Sequence, residues 1–267
     1  MSLSRRGILA AAPALAVAGA AQPGLAKRTL WMPPRTPDAH PAQQFLQLLI
    51  HQDEAHGEPF SAMIWVSGPD SAWYAVNSLS KGEYLTSNSG YKRQGYRLRR
   101  VSAFQTKEGV EFAGCWENAK GPDWHSRHSM THAEFVDANT QFAAQGYRLA
   151  HVDARVGYAA IWERGDASTQ RVLAGLPTAQ YMQQYSELNA QDFHPVRIST
   201  AAVGNDTHYS AIFEKNDQTA WRAYHSMDAA QLAQASSSMT SQGFRMTDAS
   251  GHMLHGKPNF TGIWTRA

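Results

Sequence analysis

The sequence predicts an α+β repeat protein in which five antiparallel β-hairpins alternate with four strand–helix segments. Three patterns recur in the same register along the 267-residue chain: a helix start, a Gly-Tyr-Arg-like stretch after the helix, and an aromatic second strand. Self-similarity with a period of about 20–50 residues is typical of solenoids, propellers and related arrays. We therefore expect one continuous repeat domain rather than several independent domains.

The repeat unit is clearest in the middle of the chain. Thr131 followed by Glu134 predicts a capping box at a helix start, and Gly146 predicts the left-handed residue that ends the helix. An alternating strand then begins at Tyr147, and a strand rich in aromatic and β-branched residues ends at Glu163. The predicted order within a unit is helix, strand, turn, strand.

Copies of this unit keep one register along the chain. The stretch after the helix recurs at steps of 51, 46 and 51 residues, as Gln94-Gly95-Tyr96-Arg97, Gln145-Gly146-Tyr147-Arg148, Gln191-Asp192-Phe193-His194 and Gln242-Gly243-Phe244-Arg245. The second hairpin strand begins at Phe60, Phe112, Tyr158, Tyr209 and Phe260. Helix starts recur at Ser80, Thr131, Thr178 and Asp228, each preceded by a further strand that begins at Trp73, Trp124, Gln170 or Trp221. The third copy departs most, because it lacks both the tryptophan and the glycine.

The combination of a tryptophan before the helix, Gly-Tyr-Arg after it and a Tyr-Ala-x-Ile-Trp-Glu strand resembles the bacterial tandem repeat domain family. The resemblance extends from about Phe45 to Trp264. Similar repeats occur in the N-terminal region of fungal polyglycine hydrolases, beside a β-lactamase-like catalytic domain. The resemblance implies a secreted repeat module without an assigned active site, and we find no stretch similar to that catalytic domain.

Residues 1–26 predict a twin-arginine-type signal peptide. The stretch Ser4-Arg5-Arg6-Gly7-Ile8-Leu9 resembles the twin-arginine motif and leads into a weakly apolar run. Candidate cleavage sites lie between Ala20 and Ala26. A Sec signal or a lipid-free membrane anchor is the alternative, but the apolar run is shorter than the about 20 residues that span a bilayer. We expect a periplasmic or secreted protein without stable membrane insertion.

Residues 27–43 are proline-rich and predict an extended linker, which leaves 44–267 as a single repeat domain. Segment 44–52 has a helix-like pattern, but the repeat register places it in a strand, and we expect it to pair with 60–66. Both ends of the array are hairpins, and neither resembles the polar cap of an open solenoid. We therefore expect the array to close into a propeller-like ring, which removes exposed sheet edges.

Composition argues against a nucleic-acid partner. The formal net charge is only +2, whereas nucleic-acid-binding domains are strongly basic. The cluster Arg97, Arg99 and Arg100 is expected to be a solvated strand face rather than a phosphate site. The sequence has no phosphate-cradling glycine loop, dinucleotide fingerprint or haem motif, so no cofactor is expected.

The twelve histidines are the first place to search for a metal site. His128 and His132 are four residues apart, the spacing that places two zinc ligands on one helix face. The predicted cap at Thr131, however, leaves His128 in the preceding strand. The His-Ser-Met triplet also recurs at His225 without a second histidine. We expect structural histidines and no metal site.

Two further patterns are weak catalytic candidates. Ser78 and Lys81 fit the S-x-x-K pattern of serine β-lactamase-like enzymes, but the equivalent positions of the other repeats do not. Cys115 is the single cysteine of the chain, so it forms no intramolecular disulfide. Its place within a hydrophobic strand predicts a buried residue.

Three glutamates end the second strand of successive repeats, at Glu117, Glu163 and Glu214. Paired carboxylates carry out glycoside hydrolysis when they stand about 5–10 Å apart. Convergence of these three in one cavity with a histidine would favour a hydrolase, whereas pairing of each with an arginine of the repeat would disfavour one. No residue is assigned a catalytic role.

The expected function is an exported, non-catalytic module that binds a polysaccharide or an extended peptide. Aromatic side chains at strand ends stack on sugars and peptides without catalysis, and the expected ligand-binding residues are Trp73, Trp124, His128, Trp221 and His225. The same tryptophans also suit core positions. The alternatives are a glycan or peptide hydrolase that uses central carboxylates or histidines, and an accessory subunit of a separate hydrolase.

Overall fold

A computed structural model describes the backbone of residues 16–17, 30–31, 43–52, 59–67, 73–106, 109–215 and 219–266. Side chains are described for residues 74–76, 79–106, 109–215 and 219–266. Most of the predicted signal peptide and linker therefore lies outside the described residues, as do the side chains of Trp73 and Ser78.

The described chain forms five units. Two short strands, β1 (Ala16–Val17) and β2 (Leu30–Trp31), precede them. Unit 1 consists of β3 (Gln43–Gln52) and β4 (Pro59–Ser67), and unit 2 of β5 (Trp73–Leu79), α1 (Lys81–Arg93), β6 (Arg97–Thr106) and β7 (Gly109–Glu117). Unit 3 consists of β8 (Trp124–Met130), α2 (His132–Ala144), β9 (Tyr147–Asp153) and β10 (Tyr158–Arg164). Unit 4 follows a short 3₁₀ helix (Ala167–Thr169) and consists of β11 (Gln170–Pro177), α3 (Thr178–Ala190), β12 (Phe193–Val203) and β13 (Asp206–Lys215). Unit 5 consists of β14 (Ala220–Met227), α4 (Ala229–Ser241), β15 (Arg245–Leu254) and β16 (Lys257–Arg266).

Each unit contributes one antiparallel sheet, with the second hairpin strand in the middle. The strand orders are β1-β4-β3, β2-β5-β7-β6, β8-β10-β9, β11-β13-β12 and β14-β16-β15. We call β3, β6, β9, β12 and β15 the inner strands, and β5, β8, β11 and β14 the outer strands. The predicted pairing of 44–52 with 60–66 is confirmed, since β3 pairs with β4 and places Phe45 opposite Trp65. The α+β repeat of hairpin sheets with four helices is also confirmed.

The inner strands pack against one another from unit to unit. In the described chain, β3 contacts β6, β6 contacts β9, β9 contacts β12, β12 contacts β15, and β15 contacts β3. Every inner strand lies at the edge of its own sheet, where backbone groups need partners from elsewhere.

Side chains of one inner strand supply these partners for the preceding one. The amide of Ile198 donates to Asp248 Oδ2 at 2.8 Å, the amide of Thr200 to Ser250 Oγ at 2.9 Å, and the amide of Ala154 to Ser199 Oγ at 2.9 Å. His151 Nε2 lies 2.8 Å from the carbonyl oxygen of Val101. Buried polar side chains on the inner strands thus satisfy sheet edges that hydrophobic residues would leave unpaired.

The helices begin and end largely as the sequence predicts. Capping boxes start three of them, formed by Ser80 with Glu83, Thr131 with Glu134, and Asp228 with Gln231. Helix α3 begins after Pro177 without a side-chain cap. Glycines in the left-handed region follow the other three helices, and Asp192 takes that conformation after α3 with a φ of 66°. Aspartate tolerates this region better than most residues, which explains how the third copy keeps the repeat without its glycine.

The core runs through the seams between units. Each helix buries its fourth residue, namely Tyr84, Phe135, Tyr181 or Leu232. Ile161 of unit 3 packs in the core of unit 2, Ile212 of unit 4 in that of unit 3, and Ile263 of unit 5 in that of unit 4. Full burial of such a side chain contributes about 1.5–3 kcal/mol, so neighbouring units stabilise one another.

Candidate functional site

A solvent-open cavity of about 440 Å³ lies between the inner strands; we call it the central cavity. Its described lining holds four arginines and three glutamates, together with aliphatic side chains and Cys115. The charged lining residues are Arg99, Arg100, Arg148, Arg197, Glu117, Glu163 and Glu214. A volume of this size lies within the range of about 300–1,000 Å³ typical of small-ligand sites.

A β-bulge in the inner strand of each of units 2 to 5 directs one residue toward the central cavity. Pairing with the middle strand skips one residue in units 2 to 5, and the skipped residues are Arg99, Ala150, Val196 and Thr247. All four line the cavity. A bulge adds one unpaired residue and re-aims its side chain, so the same irregularity, repeated in successive units, builds the cavity wall.

The three strand-end glutamates converge on the cavity, and each is bound to an arginine. The pairs are Arg97 Nη2–Glu163 Oε1 at 2.9 Å, Arg148 Nη1–Glu214 Oε1 at 3.1 Å and Arg99 Nε–Glu117 Oε2 at 2.8 Å. Among the described lining residues there is no histidine. A general acid or base must reach a proton of the substrate, whereas these carboxylates face guanidinium groups. Pairing of each glutamate with an arginine was the arrangement expected to disfavour a hydrolase, and this is the arrangement observed.

Two arginines and one aspartate form what we call the floor of the cavity: Arg100, Arg197 and Asp248. Arg197 Nη1 lies 3.8 Å and Arg100 Nη2 lies 4.0 Å from Asp248 Oδ1. Burial, together with the like charge of Arg197, lowers the pKa of Arg100 to about 9. Burial also raises the pKa of Asp248, although both arginines act against this shift. The shifts of both groups in the direction of their neutral forms mark the floor as a poorly hydrated site.

This arrangement corrects the expectation that Arg97, Arg99 and Arg100 form a solvated strand face. Arg97 and Arg100 are buried, and only the Arg99 side chain is substantially exposed, at 44%. The bulge at Arg99 interrupts the alternation of side chains along the strand. Arg97 and Arg100, on either side of it, reach the seams with other units. Arg197 and Asp248 were missed altogether, although the repeat register places them at the position of Arg100.

Cys115 lines the same cavity but is buried, as expected from the sequence. Burial raises the pKa of its thiol to about 12. Since the thiolate is the nucleophilic form of cysteine, a raised thiol pKa argues against a catalytic role for Cys115 at neutral pH.

Trp124 and His128 lie on β8 at the seam between units 2 and 3. Trp124 is 5% exposed, and Lys92 Nζ of α1 lies 4.5 Å from its ring centroid. His128 packs edge-on against Tyr84 and Phe112, with centroid distances of 5.2 Å to each. Both side chains therefore contribute to packing between units, and Trp124 presents no free face.

Trp221 and His225 occupy the equivalent seam between units 4 and 5. Tyr185 of α3 contacts both rings, with centroid distances of 6.2 Å and 5.4 Å. Trp221 is half-buried and stacks on His194, while burial lowers the pKa of His225 to about 4. The two Trp–His pairs thus lie in separate seams, and neither lines the central cavity.

A second cavity, of about 380 Å³, lies on the outside of the seam that contains His128. Asn88 of α1 and Glu134 of α2 lie on its two sides. The polar groups on one side of this cavity are hydrogen-bonded to one another. Asn88 donates to Ser126 Oγ at 3.3 Å and accepts from Trp116 Nε1 at 2.9 Å. This groove follows from the gap between adjacent helices.

His128 and His132, which have the sequence spacing of a zinc pair, lie on different elements. His128 lies on β8 and His132 on α2, where His132 Nδ1 is 3.1 Å from Tyr158 Oη. Across the described part of the chain, no three His, Cys, Asp or Glu side chains are grouped as metal ligands. The helices of that part also include none with the length and apolar character needed to cross a membrane.

Comparison with known proteins identifies the repeat. Four segments match the polyglycine hydrolase-like structural repeat, at residues 70–119, 121–165, 169–216 and 218–267. These segments coincide with units 2 to 5, each running from the outer strand to the end of the hairpin. No curated protein matches the chain. Because the matched segments make up more than half of its length, the chain belongs to the polyglycine hydrolase-like structural repeat family.

Proposed function

We propose that this protein is a non-catalytic binding module whose central cavity holds an extended peptide. The observation that carries the proposal is a solvent-open cavity lined by both guanidinium and carboxylate groups. Backbone carbonyls accept hydrogen bonds from arginine, and backbone amides donate them to glutamate. A wall with both kinds of group therefore suits a chain that offers donors and acceptors in alternation.

A peptide fits this lining better than a polysaccharide does. Sugar rings are bound largely by stacking on aromatic faces, and none of the described lining residues is aromatic. Trp124 is buried, and Trp221 lies in a seam away from the cavity. The family name refers to polyglycine hydrolases, which makes a glycine-rich peptide a suitable first probe.

We also propose that the five hairpins close into a propeller-like ring around this cavity. The support is that β3 contacts both β6 and β15, so each inner strand has two inner-strand neighbours. A closed ring predicts that amides of β3 and β15 resist hydrogen exchange as strongly as those of β9 and β12. Rapid exchange confined to β3 and β15 would contradict closure, because it would place these strands at two open ends.

We further propose export by the twin-arginine route to the periplasm or beyond. The support is the Arg5-Arg6 pair followed by a weakly apolar run. Replacement of both arginines by lysine in the full chain should leave the protein in the cytoplasm, as judged by fractionation. Unchanged export of that variant would favour a Sec signal instead.

Thermal unfolding tests the binding proposal. A ligand that binds only the folded state, at about 100 times its dissociation constant, adds about 2.7 kcal/mol of stability. For a chain of this size that corresponds to a rise of about 5–10 °C in melting temperature. The probes are a glycine-rich peptide, cell-wall glycans and neutral polysaccharides, and we expect the shift with the peptide.

A matched pair of variants locates the site. Arg148 lines the cavity with its side chain 38% exposed, so Arg148→Gln should weaken the shift with little effect on folding. Arg245 occupies the same repeat position in unit 5, is exposed and does not line the cavity, so Arg245→Gln should keep the full shift. Loss of the shift in Trp221→Ala but not in Arg148→Gln would move the site to the aromatic seam.

The alternatives predict different results in the same assay. Cleavage of the peptide or glycan, detected by mass spectrometry, would replace the binding module with a hydrolase and make Glu163→Gln the next variant. Absence of a shift with every probe would favour an accessory subunit that acts through a separate hydrolase.

A further inference from the structure

We propose that the side of β4 that faces away from β3 is a strand-acceptor site, which an extended, glycine-containing segment of a partner protein fills once residues 1–26 are removed. In the full chain, β1 (Ala16–Val17) lies in this site. The inference rests on the export proposed above, because cleavage between Ala20 and Ala26 would remove β1.

In unit 1, β1 takes the place of an outer strand. The strand order β1-β4-β3 matches the orders β8-β10-β9, β11-β13-β12 and β14-β16-β15 of units 3 to 5. In units 2 to 5 the outer strand directly precedes the helix of the same unit. In unit 1 the corresponding strand comes from a part of the chain that residues 18–42 separate from β3. Unit 1 is therefore completed by a segment that proteolysis can detach.

The register of β1 is also that of an outer strand. Val17 lies opposite Ala62, which is the third residue of the recurring aromatic motif that begins at Phe60. The third residue of each later motif lies opposite an outer strand in the same antiparallel way. These pairs are Val76 with Gly114, Arg127 with Ala160, Leu173 with Ala211 and Tyr224 with Gly262.

The sequence around β1 has the pattern of an outer strand as well. When Val17 is aligned with Val76, the stretch Leu15-Ala-Val-Ala-Gly-Ala20 matches Tyr74-Ala-Val-Asn-Ser-Leu79 at its Ala-Val pair. The same alignment with unit 4 matches the Ala-Gly pair of Arg171-Val-Leu-Ala-Gly-Leu176. Backbone pairing and sequence thus agree on one register, and they are independent observations.

Removal of β1 would leave one side of β4 without a strand partner. The middle strands of units 2 to 5 are paired on both sides in the described chain. A strand edge with unpaired amide and carbonyl groups pairs readily with an extended segment of another chain. Such strand addition gains its affinity from backbone hydrogen bonds and its specificity from the positions of individual residues.

A bulge in the outer strands indicates which residue the site selects. Two positions after the residue that faces the third motif residue, φ is positive in units 3 to 5, with 55° at Ser129, 61° at Gly175 and 55° at Ser226. Glycine adopts this region without the steric cost of a Cβ atom. Gly19 has the same position relative to Val17. A segment that fills the site should therefore carry glycine at this position.

The test uses the full chain with a protease site inserted between Ala26 and Lys27 and cut after folding. The probe is a fluorescent peptide of residues 11–22, and its binding is followed by fluorescence anisotropy. The uncut chain should bind it at least about tenfold more weakly than the cut chain, because a tethered segment competes at an effective concentration in the millimolar range.

Two matched peptides test the chemistry of the occupant. The Gly19→Val peptide should bind about tenfold more weakly or worse, because a β-branched residue is strained at positive φ. The Ala12→Val peptide, changed outside the aligned stretch, should bind like the original. Equal binding of the Gly19→Val peptide would overturn the requirement for glycine.

Hydrogen exchange of the backbone amides locates the site. Amides of β4 should exchange faster after cutting and should be protected again by the peptide, whereas those of β10 should not change. The uncut chain with both Ala16→Pro and Val17→Pro should show the same faster exchange in β4, because proline cannot donate to a strand partner. This variant keeps the proposal testable if the cut chain does not remain folded.

Three outcomes would overturn the proposal. Unchanged exchange of β4 in the cut chain and in the proline variant would show that β1 does not fill a site. Protection of the inner strands by the peptide, without β4, would assign the peptide to the central cavity. A dimer of the full chain in analytical ultracentrifugation that the proline variant does not form would make a second copy the occupant. Because these measurements do not involve export, failure of the twin-arginine proposal would be recognised separately, by fractionation.

Discussion

The eighth position of each helix determines whether a buried tryptophan finds a hydrogen-bond partner. Trp116 Nε1 donates to Asn88 Oδ1 at 2.9 Å in unit 2, and Trp162 Nε1 donates to Asn139 Oδ1 at 3.0 Å in unit 3. In unit 5 the eighth residue of α4 is Ser236, and Trp264 Nε1 is buried without a partner among the described residues. We predict that Ser236→Asn restores the missing bond.

The expected gain is about 1 kcal/mol, which is the typical net contribution of a hydrogen bond made to a buried group. All three tryptophans are 0% exposed, so the environments of their indole groups are comparable. Unit 4, which has no tryptophan at this position, agrees with this reasoning. There, Phe213 replaces the tryptophan and Tyr185 replaces the asparagine, so the donor and the acceptor are absent together.

Thermal and denaturant unfolding measure the effect, with Asn139→Ser as the reciprocal change. Ser236→Asn should raise the melting temperature by about 2–4 °C, and Asn139→Ser should cost about 1–3 kcal/mol because it leaves Trp162 Nε1 unsatisfied. Ser237→Asn, at the adjacent exposed position, controls for the helix propensity of asparagine. A gain no larger in Ser236→Asn than in Ser237→Asn would refute the reasoning, as would a neutral Asn139→Ser.

Three further predictions follow from burial. Arg97→Gln should lower the free energy of unfolding by about 2 kcal/mol, whereas Arg148→Gln should lower it by less than about 1 kcal/mol. The reason is that the Arg97 side chain is only 7% exposed and the Arg148 side chain 38%. Equal losses for the two variants in denaturant unfolding would contradict this ranking. Burial holds the pKa of His225 in the folded protein at about 4, below its ordinary value of 6.5. Between these two pH values the unfolded chain therefore binds more protons than the folded protein does. The free energy of unfolding consequently decreases as the pH falls through this window. His225→Phe should reduce that loss by on the order of 2 kcal/mol, and an unchanged pH dependence would argue against a buried neutral imidazole. Cys115 should react with a thiol reagent only when the chain unfolds, and rapid labelling of the native protein would show that its burial is incomplete.

Local signals made most of the repeat predictable from the sequence. Capping boxes such as Thr131 with Glu134 depend on residues three apart, and the hairpins depend on alternation within one strand, so both can be recognised without knowledge of the tertiary fold. The first hairpin needed the register as well, since the pattern of 44–52 alone suggests a helix. The register overruled the local pattern, and the structure pairs β3 with β4.

The central cavity was only partly predictable, because its residues are selected by bulges and by contacts between units. The sequence allowed two arrangements of Glu117, Glu163 and Glu214: convergence in one cavity, or an ion pair between each glutamate and an arginine. The structure shows both arrangements at once. The floor residues Arg197 and Asp248 lie 51 residues apart in the chain, and no local pattern links them. A one-residue bulge changes which side chains face inward, and the sequence carries no clear mark of its position.

At the three seams that join units 2 to 5, an arginine and a glutamate from neighbouring units are either both present or both replaced. Arg97 of unit 2 pairs with Glu163 of unit 3, and Arg148 of unit 3 pairs with Glu214 of unit 4. At the next seam the arginine position holds His194 and the glutamate position holds Thr265. Both members of the pair are replaced at the same seam.

Residues that recur with their partner are therefore explained by packing, and a recurring Trp or His is weak support for a binding site. The bulge positions behave differently, because Arg99, Ala150, Val196 and Thr247 share one place in the repeat but differ in charge and size. Val196 also packs against the core of unit 3, whereas Arg99, Ala150 and Thr247 line the cavity without belonging to the core of a neighbouring unit. In a protein built from copies, specificity must come from positions where the copies differ, and here those positions line the central cavity.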